Sequence, residues 1–172
     1  MKQLLLYIII GVALFALSAC VSGEDKQRTA DGLGVGDPLP AFSVTLNDGR
    51  VVADTTLAGT PTLIAFFHTE CPDCQRELPV LQQLYEQYGQ RVDFVCIGRE
   101  ETDTAVAAYW QKHRLTMPWS AQKDRKVYNL FAQTYIPRIY LADKIGLIQA
   151  MFVEKVDREE LDKVLMKVVQ QP

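Results

Sequence analysis

Thr62-Leu63-Ile64-Ala65-Phe66-Phe67 runs directly into His68-Thr69-Glu70-Cys71-Pro72-Asp73-Cys74, and this junction decides how the chain folds. The first six residues are a near-continuous apolar run of strand length, the pattern of a strand covered on both faces. From Pro72 to about Tyr88, Leu78, Leu81, Leu84, Tyr85 and Tyr88 recur at spacings of three and four, which predicts a helix that Gly89 ends. The two cysteines therefore sit where a central strand gives way to the first turn of a helix. Unpaired backbone N–H groups and the positive end of the helix dipole favour a thiolate there, which makes Cys71 the candidate nucleophile. Cys74, one turn on and on roughly the same face, can close a disulfide or resolve a mixed one.

The spacing alone does not force redox chemistry, because zinc sites also use Cys-x-x-Cys. A tetrahedral zinc site needs a second pair of ligands, and the remaining candidates are Cys96 in a strand and the distant His68 and His113. A purely structural bridge usually closes a longer loop. The expectation is a reversible thiol pair that carries the electrons itself, with neither metal nor cofactor.

Working outward, Phe42–Leu46 and Arg50–Ala53 read as short strands around Asn47-Asp48-Gly49, a hairpin signal. After the first long helix come a strand (Arg91–Ile97), a helix (Thr104 to about His113) and a shorter helix (Asp124 to about Gln133). Arg138–Leu141 and Leu147–Phe152 flank Asp143-Lys144-Ile145-Gly146 as an antiparallel hairpin, and Asp157 caps a closing amphipathic helix to Val169. Parallel strands in the first half and antiparallel ones in the second imply an α/β fold of three layers, with a mixed central sheet and an extra N-terminal β-hairpin. This is the layout of a thioredoxin-like sheet. Cys96, between Val95 and Ile97, reads as a buried core thiol, and Tyr109, Trp110 and Trp119 read as packing.

Ile136-Pro137 opens the strand at Arg138, an unusual place for proline because it cannot donate to the ladder. An ordinary trans proline at a strand start is one reading. A cis proline is the other, and it would leave the backbone of Ile136 free to pair with an incoming peptide beside Cys71.

The 172 residues carry 18 Lys and Arg against 21 Asp and Glu, a formal net charge of -3, which excludes a basic nucleic-acid binder. With 48% hydrophobic and 23% charged residues the chain can bury one globular core. Part of the apolar content lies in Leu4–Leu17, behind Lys2 and ahead of Leu17-Ser18-Ala19-Cys20. That is a secretory signal (1–19), its run too short for the roughly 20 residues of a spanning helix. The last four residues resemble the bacterial lipoprotein signal, which implies lipidation at Cys20. A polar tether follows (20–34), and the domain is expected over 35–172, facing an oxidising compartment.

Taken together, these residues resemble the TlpA/ResA-like thiol-disulfide oxidoreductases of the thioredoxin superfamily. Val35-Gly36-Asp37-Pro38-Leu39-Pro40-Ala41-Phe42 is similar to that family's opening segment, and Cys71 to Pro79 is similar to its "CxxCxxExP" stretch. Ile136-Pro137, followed by Ala142 to Gly146, resembles its cis-proline strand and hairpin. The resemblance implies that Cys71 and Cys74 form the redox-active disulfide and that Ile136 and Pro137 contact substrate. It also implies that Glu77 is an acidic residue working beside the thiols, in a subgroup lacking thioredoxin's buried Asp, whose position is Ala65 here. The expected partners are exported proteins with disulfides, such as those of cytochrome c maturation, and a membrane electron donor of the DsbD type. Anchoring would be through lipid, in the cell envelope facing the periplasm. Two departures stand out: Glu70 occupies the usual Trp position before the first Cys, and Arg138 occupies the usual Thr position after Pro137; both are expected to alter the surface a partner meets.

Glu70, Asp73 and Glu77 outweigh Arg76 and His68 around the thiols. Negative neighbours disfavour a thiolate and so favour the disulfide over the dithiol, which makes such a couple a reductant. Two other functions remain open from sequence. A peroxidase of the peroxiredoxin type would place Pro and Thr where this chain has Ile64 and His68. A non-enzymatic lipoprotein handling haem or metal, or docking a partner, would have His68 as its best ligand.

Overall fold

The protein is described by a computed structural model over residues 32–171. The expected signal segment, Cys20 and the tether up to residue 31 lie outside the described residues. Residues 32–34, the end of the expected tether, already lie against the domain: Gly32 bridges Ala132, and the Leu33 N–H donates to the Phe131 carbonyl at 3.0 Å.

The N-terminal hairpin forms as expected, with β1 (Ser43–Thr45) antiparallel to β2 (Val51–Ala53). Its turn uses Gly49 at φ +86°, a left-handed conformation that only glycine adopts without steric cost. The Asp48 carboxylate accepts from the Arg50 N–H at 3.0 Å and pairs with its guanidinium at 2.8 Å.

Then follow β3 (Thr62–Phe67), α1 (Pro72–Tyr88), β4 (Asp93–Arg99), α2 (Asp103–His113), β5 (Trp119–Gln122), α3 (Lys126–Phe131), β6 (Arg138–Ala142), β7 (Ile148–Val153) and α4 (Arg158–Gln170). The main sheet has the order β5-β4-β3-β6-β7. β3 lies at its centre, parallel to β4 with Ala65 opposite Cys96, and antiparallel to β6 with Ala65 opposite Ile139. The sheet is therefore mixed, and every residue of β3 is buried, as its unbroken apolar run predicts. Successive β3 side chains serve opposite faces. Phe66 meets the rings of Tyr128 and Phe131 on α3 at 5.3 and 4.9 Å, while Phe67 packs on Trp110 of α2 at 4.8 Å. α1 is tied to α4 by the Tyr88 hydroxyl, which donates to Asp162 at 2.8 Å, and Asp157 caps α4 by accepting from the Glu160 N–H.

The structure adds one element that the sequence reading does not contain and corrects two expectations. Trp119–Gln122 is a strand, β5, parallel to β4 at the sheet edge. Trp-Ser-Ala-Gln is only four residues long, with one large apolar side chain and no β-branched residue, too short a pattern to announce a strand, so its strand character comes mainly from its neighbours. The helix expected over Asp124–Gln133 is only Lys126–Phe131. Arg138, expected to alter the partner surface, is 1% exposed, and its guanidinium donates to the Thr134 carbonyl at 3.0 Å. It supports the loop before Pro137 from beneath.

The hairpin turn also secures the new strand. The Asn47 N–H donates to the Trp119 carbonyl at 2.7 Å, and the Asn47 side-chain oxygen accepts from the Trp119 N–H at 2.9 Å. Replacing Asn47 by Ala leaves that partly buried N–H without its acceptor, and urea unfolding is expected to show a loss of about 1–2 kcal/mol. A variant as stable as the parent would mean that the hairpin does not hold β5.

Candidate active site

Cys71 is the N-cap residue of α1. The backbone leaves β3, makes a turn in which the Cys71 N–H donates to the His68 carbonyl at 3.1 Å, and enters the helix at Pro72. Proline suits that first position because its missing N–H would have had no helical partner. The Cys71 sulfur then does what an N-cap side chain does, accepting from the Cys74 N–H at 3.4 Å. Its thiol also points at the Ile136 carbonyl, at 3.6 Å, and the Ile136-Pro137 peptide bond is cis. Cys71, Cys74, Ile136 and Pro137, chosen from distant parts of the sequence, thus meet at one end of the sheet.

The two thiols differ in environment. Cys71 is partly exposed, whereas Cys74 is fully buried. Burial, and then the hydrogen bond with Cys71, pushes the Cys74 thiol well above its ordinary value, while a backbone hydrogen bond from His68 and the charge of Arg99 act the other way. Cys74 therefore stays protonated at neutral pH until something takes its proton. Cys96 lies in β4 as a core thiol with its sulfur 3.9 Å from that of Met117, and burial pushes it up to about 12.

Glu77, 4% exposed, is held at both oxygens. Oε1 accepts from Arg76 Nε at 2.9 Å, and Oε2 accepts from the Val156 N–H at 3.3 Å. Arg76 also reaches Asp73 at 2.7 Å, so two of the three acidic neighbours counted from sequence share one guanidinium. The third, Glu70, is exposed. His68 Nδ1 accepts from the Glu70 N–H at 3.1 Å and lies 3.7 Å from the Glu101 carboxylate. Among the described residues, no three His, Cys, Asp or Glu side chains gather so as to hold a metal ion.

The loop leading to Pro137 is set from below. The Tyr128 hydroxyl donates to the carbonyls of Thr134 and Tyr135, the latter at 2.7 Å, and Arg138 donates to Thr134 as well. Tyr135 itself stands 58% exposed at φ +61°. The backbone of Ile136 is thereby fixed against the Cys71 sulfur.

Sequence reading missed two charged residues near the thiols. Glu101 is 5% exposed and bonded to Thr69 in the turn before Cys71, and Arg99 acts on Cys74. The one sequence signal for them was the break in an apolar strand at Gly98 followed by Arg99-Glu100-Glu101, since an isolated strand glycine marks a close approach.

At neutral pH the reduced protein should take up iodoacetamide at Cys71 alone among its domain thiols, as located by peptide mass spectrometry. Cys74 and Cys96 should follow only in alkaline solution, because a thiol with a raised value stays neutral until the pH approaches it. Labelling of Cys74 ahead of Cys71 would reverse the assignment of roles.

Comparison with known proteins agrees with this geometry. Residues 35–151 match the AhpC/TSA family. The thiol-disulfide oxidoreductase ResA of Bacillus thuringiensis (strain Al Hakam) is 26% identical over 145 residues, covering 84% of this chain and 82% of the relative. Among solved structures, a thiol:disulfide interchange protein of the thioredoxin family from Chlorobium tepidum superposes with a TM-score of 0.67 at 23% identity, covering 78% of this chain and 97% of its own. StoA from Bacillus subtilis gives 0.63 at 21% identity, covering 74% and 98%. At those identities the two structures establish the thioredoxin-like fold. The chain belongs to the AhpC/TSA family, and within it is a thioredoxin-like thiol-disulfide oxidoreductase.

Proposed function

We propose that the protein is a membrane-tethered, extracytoplasmic reductase of disulfides in exported proteins, with Cys71 as its nucleophile. The observation that carries this reading is the placement of Cys71 Sγ at the N-cap of α1, accepting from the Cys74 N–H and facing the Ile136 carbonyl. A client chain lying along Ile136 and Pro137 would present its disulfide to that sulfur.

The Cys71 thiolate attacks one client sulfur. A Cys71–client disulfide forms as the client's own S–S bond breaks, and the departing sulfur leaves as a thiolate that takes up a proton. Cys74 then loses its proton and attacks the Cys71 sulfur, which releases the second client thiol. The client has gained two electrons and the protein holds a Cys71–Cys74 disulfide. A donor dithiol, supplied by a membrane protein of the DsbD type, then reduces the Cys71–Cys74 disulfide by two successive exchanges, restoring both thiols and itself ending as a disulfide. Glu77 is assigned the Cys74 proton, since it is a buried carboxylate one turn further along α1.

The direction of transfer rests on the charges that face the thiols. Among the described residues no ion pair neutralises Glu70, Arg76 is shared between Asp73 and Glu77, and Arg99, the cation acting on Cys74, is itself paired with Glu100, so the balance remains negative and favours the disulfide form of the protein. Tethering rests on the sequence of residues 1–20, with Cys20 as the lipidated residue. Among the described residues no helix is long and apolar enough to cross a membrane. The ResA relatives support thiol-disulfide exchange as the chemistry, and exported clients, those of cytochrome c maturation among them, follow from the resemblance of the sequence to the TlpA/ResA-like family. The peroxidase reading lacks its Pro and Thr, replaced by Ile64 and His68.

Replacing Cys74 by Ser should leave a covalent adduct trapped through Cys71, visible as a band that dithiothreitol removes. Normal turnover by that variant with nothing trapped would refute the two-step scheme, and steady consumption of hydrogen peroxide by the parent would favour the peroxidase. Replacing Glu77 by Gln should leave the first step within twofold and slow the second about a hundredfold, the lower end of what a general base contributes. Equal effects on both steps would remove Glu77 from the proton path.

A further inference from the structure

Glu101 lies in the middle of the three-residue segment between β4 and α2, and its carboxylate is buried behind the turn that carries Cys71. Glu100, just before it, takes φ +61°, and the Glu101 N–H donates to the Gln122 carbonyl of β5 at 2.8 Å. The chain is thus anchored on the sheet edge as the side chain turns inward. Oε1 accepts both the Thr69 N–H, at 2.9 Å, and the Thr69 hydroxyl. Oε2 is buried with no hydrogen-bond partner among the described residues. Gly98 leaves room for it, because a Cβ at that position would lie 3.3 Å from Oε2.

Thr69 passes the restraint on. Its carbonyl accepts from the Gln75 side chain of α1 at 2.7 Å. The carbonyl of its neighbour His68 accepts the Cys71 N–H at 3.1 Å. A carboxylate 32 residues away in sequence therefore grips Thr69 and lies 3.7 Å from the His68 ring, in the turn whose backbone holds Cys71 at the start of α1. A buried carboxylate with one oxygen unpaired is costly, and a fold free to choose would replace it with an apolar side chain.

We infer that Glu101 is a positioning residue for thiol exchange: it clamps the His68–Cys71 turn and so aims the Cys71 sulfur. This rests on Cys71 being the nucleophile, as proposed above. The clamp needs an acceptor at Oε1 rather than a negative charge. Gln keeps that acceptor and Ala removes it, which separates aiming from electrostatics.

The test is the rate at which the reduced full-length chain forms a mixed disulfide at Cys71 with oxidised glutathione, followed across pH and accompanied by thermal melts. Glu101→Ala should react at least fivefold more slowly across the profile, while Glu101→Gln should stay within twofold of the parent. Glu101→Ala reacting at the parental rate overturns the inference, and so does Glu101→Gln falling as far as Ala, which would assign the effect to charge. Should Glu101→Ala not fold, Thr69→Val removes only the hydroxyl bond; a two- to threefold slowing supports the clamp, and an unchanged rate overturns it. A parent that forms no mixed disulfide at Cys71 would instead remove the proposed function on which the inference rests.

Discussion

The structure turns on a helix that has to begin somewhere. The first N–H groups of α1 have no helical carbonyl to reach, and they need an acceptor at the point where the chain leaves the central strand. Here the acceptor is a sulfur, Cys71, taking the Cys74 N–H. The same bond that starts the helix also places the two thiols one turn apart at the end of β3. The position of β3 in the middle of the sheet brings the β6 side close as well, so that the Ile136 carbonyl meets Cys71 across a separation of 65 residues. A partly exposed thiol in front of a buried one follows from this arrangement. The proposed function gives the first the attack and the second the resolving step.

Around that junction the protein spends its buried polar groups on holding backbone. Glu77 ties α1 to Val156, Arg138 and Tyr128 hold the loop before Pro137, and Glu101 holds Thr69. Buried polar groups of this kind specify a geometry at some cost in stability, and here the geometry they specify surrounds one sulfur.

Much of this was legible in the sequence, and the parts that were not have physical reasons. The run Thr62–Phe67 and the three-and-four spacing of α1 identify a buried strand feeding a helix, and with it the thiol pair. Asn47-Asp48-Gly49 gives the hairpin, and Asp157 gives the last cap. β5 escaped because an edge strand of four residues owes its conformation to β4 and to Asn47, neither of which its own composition reveals. Arg138 was read as a surface feature because arginine is seldom fully buried; its partner, the Thr134 carbonyl, is a backbone group that no sequence pattern displays. Glu101 was missed for a similar reason. Its role depends on where the β4–α2 segment returns in space, and local charge counting treats it as one more acidic residue before a helix.

The central claim is that Cys71 and Cys74 form a reversible couple poised for reduction of other proteins. The most direct test is its reduction potential, obtained by equilibrating the protein against glutathione and dithiothreitol buffers and following the Cys71–Cys74 disulfide by mass spectrometry. The account predicts a value near or below that of thioredoxin, about -270 mV. A value near the strongly oxidising end, about -120 mV, would contradict it and make the protein a donor of disulfides, and the absence of any reversible couple would contradict the redox assignment itself.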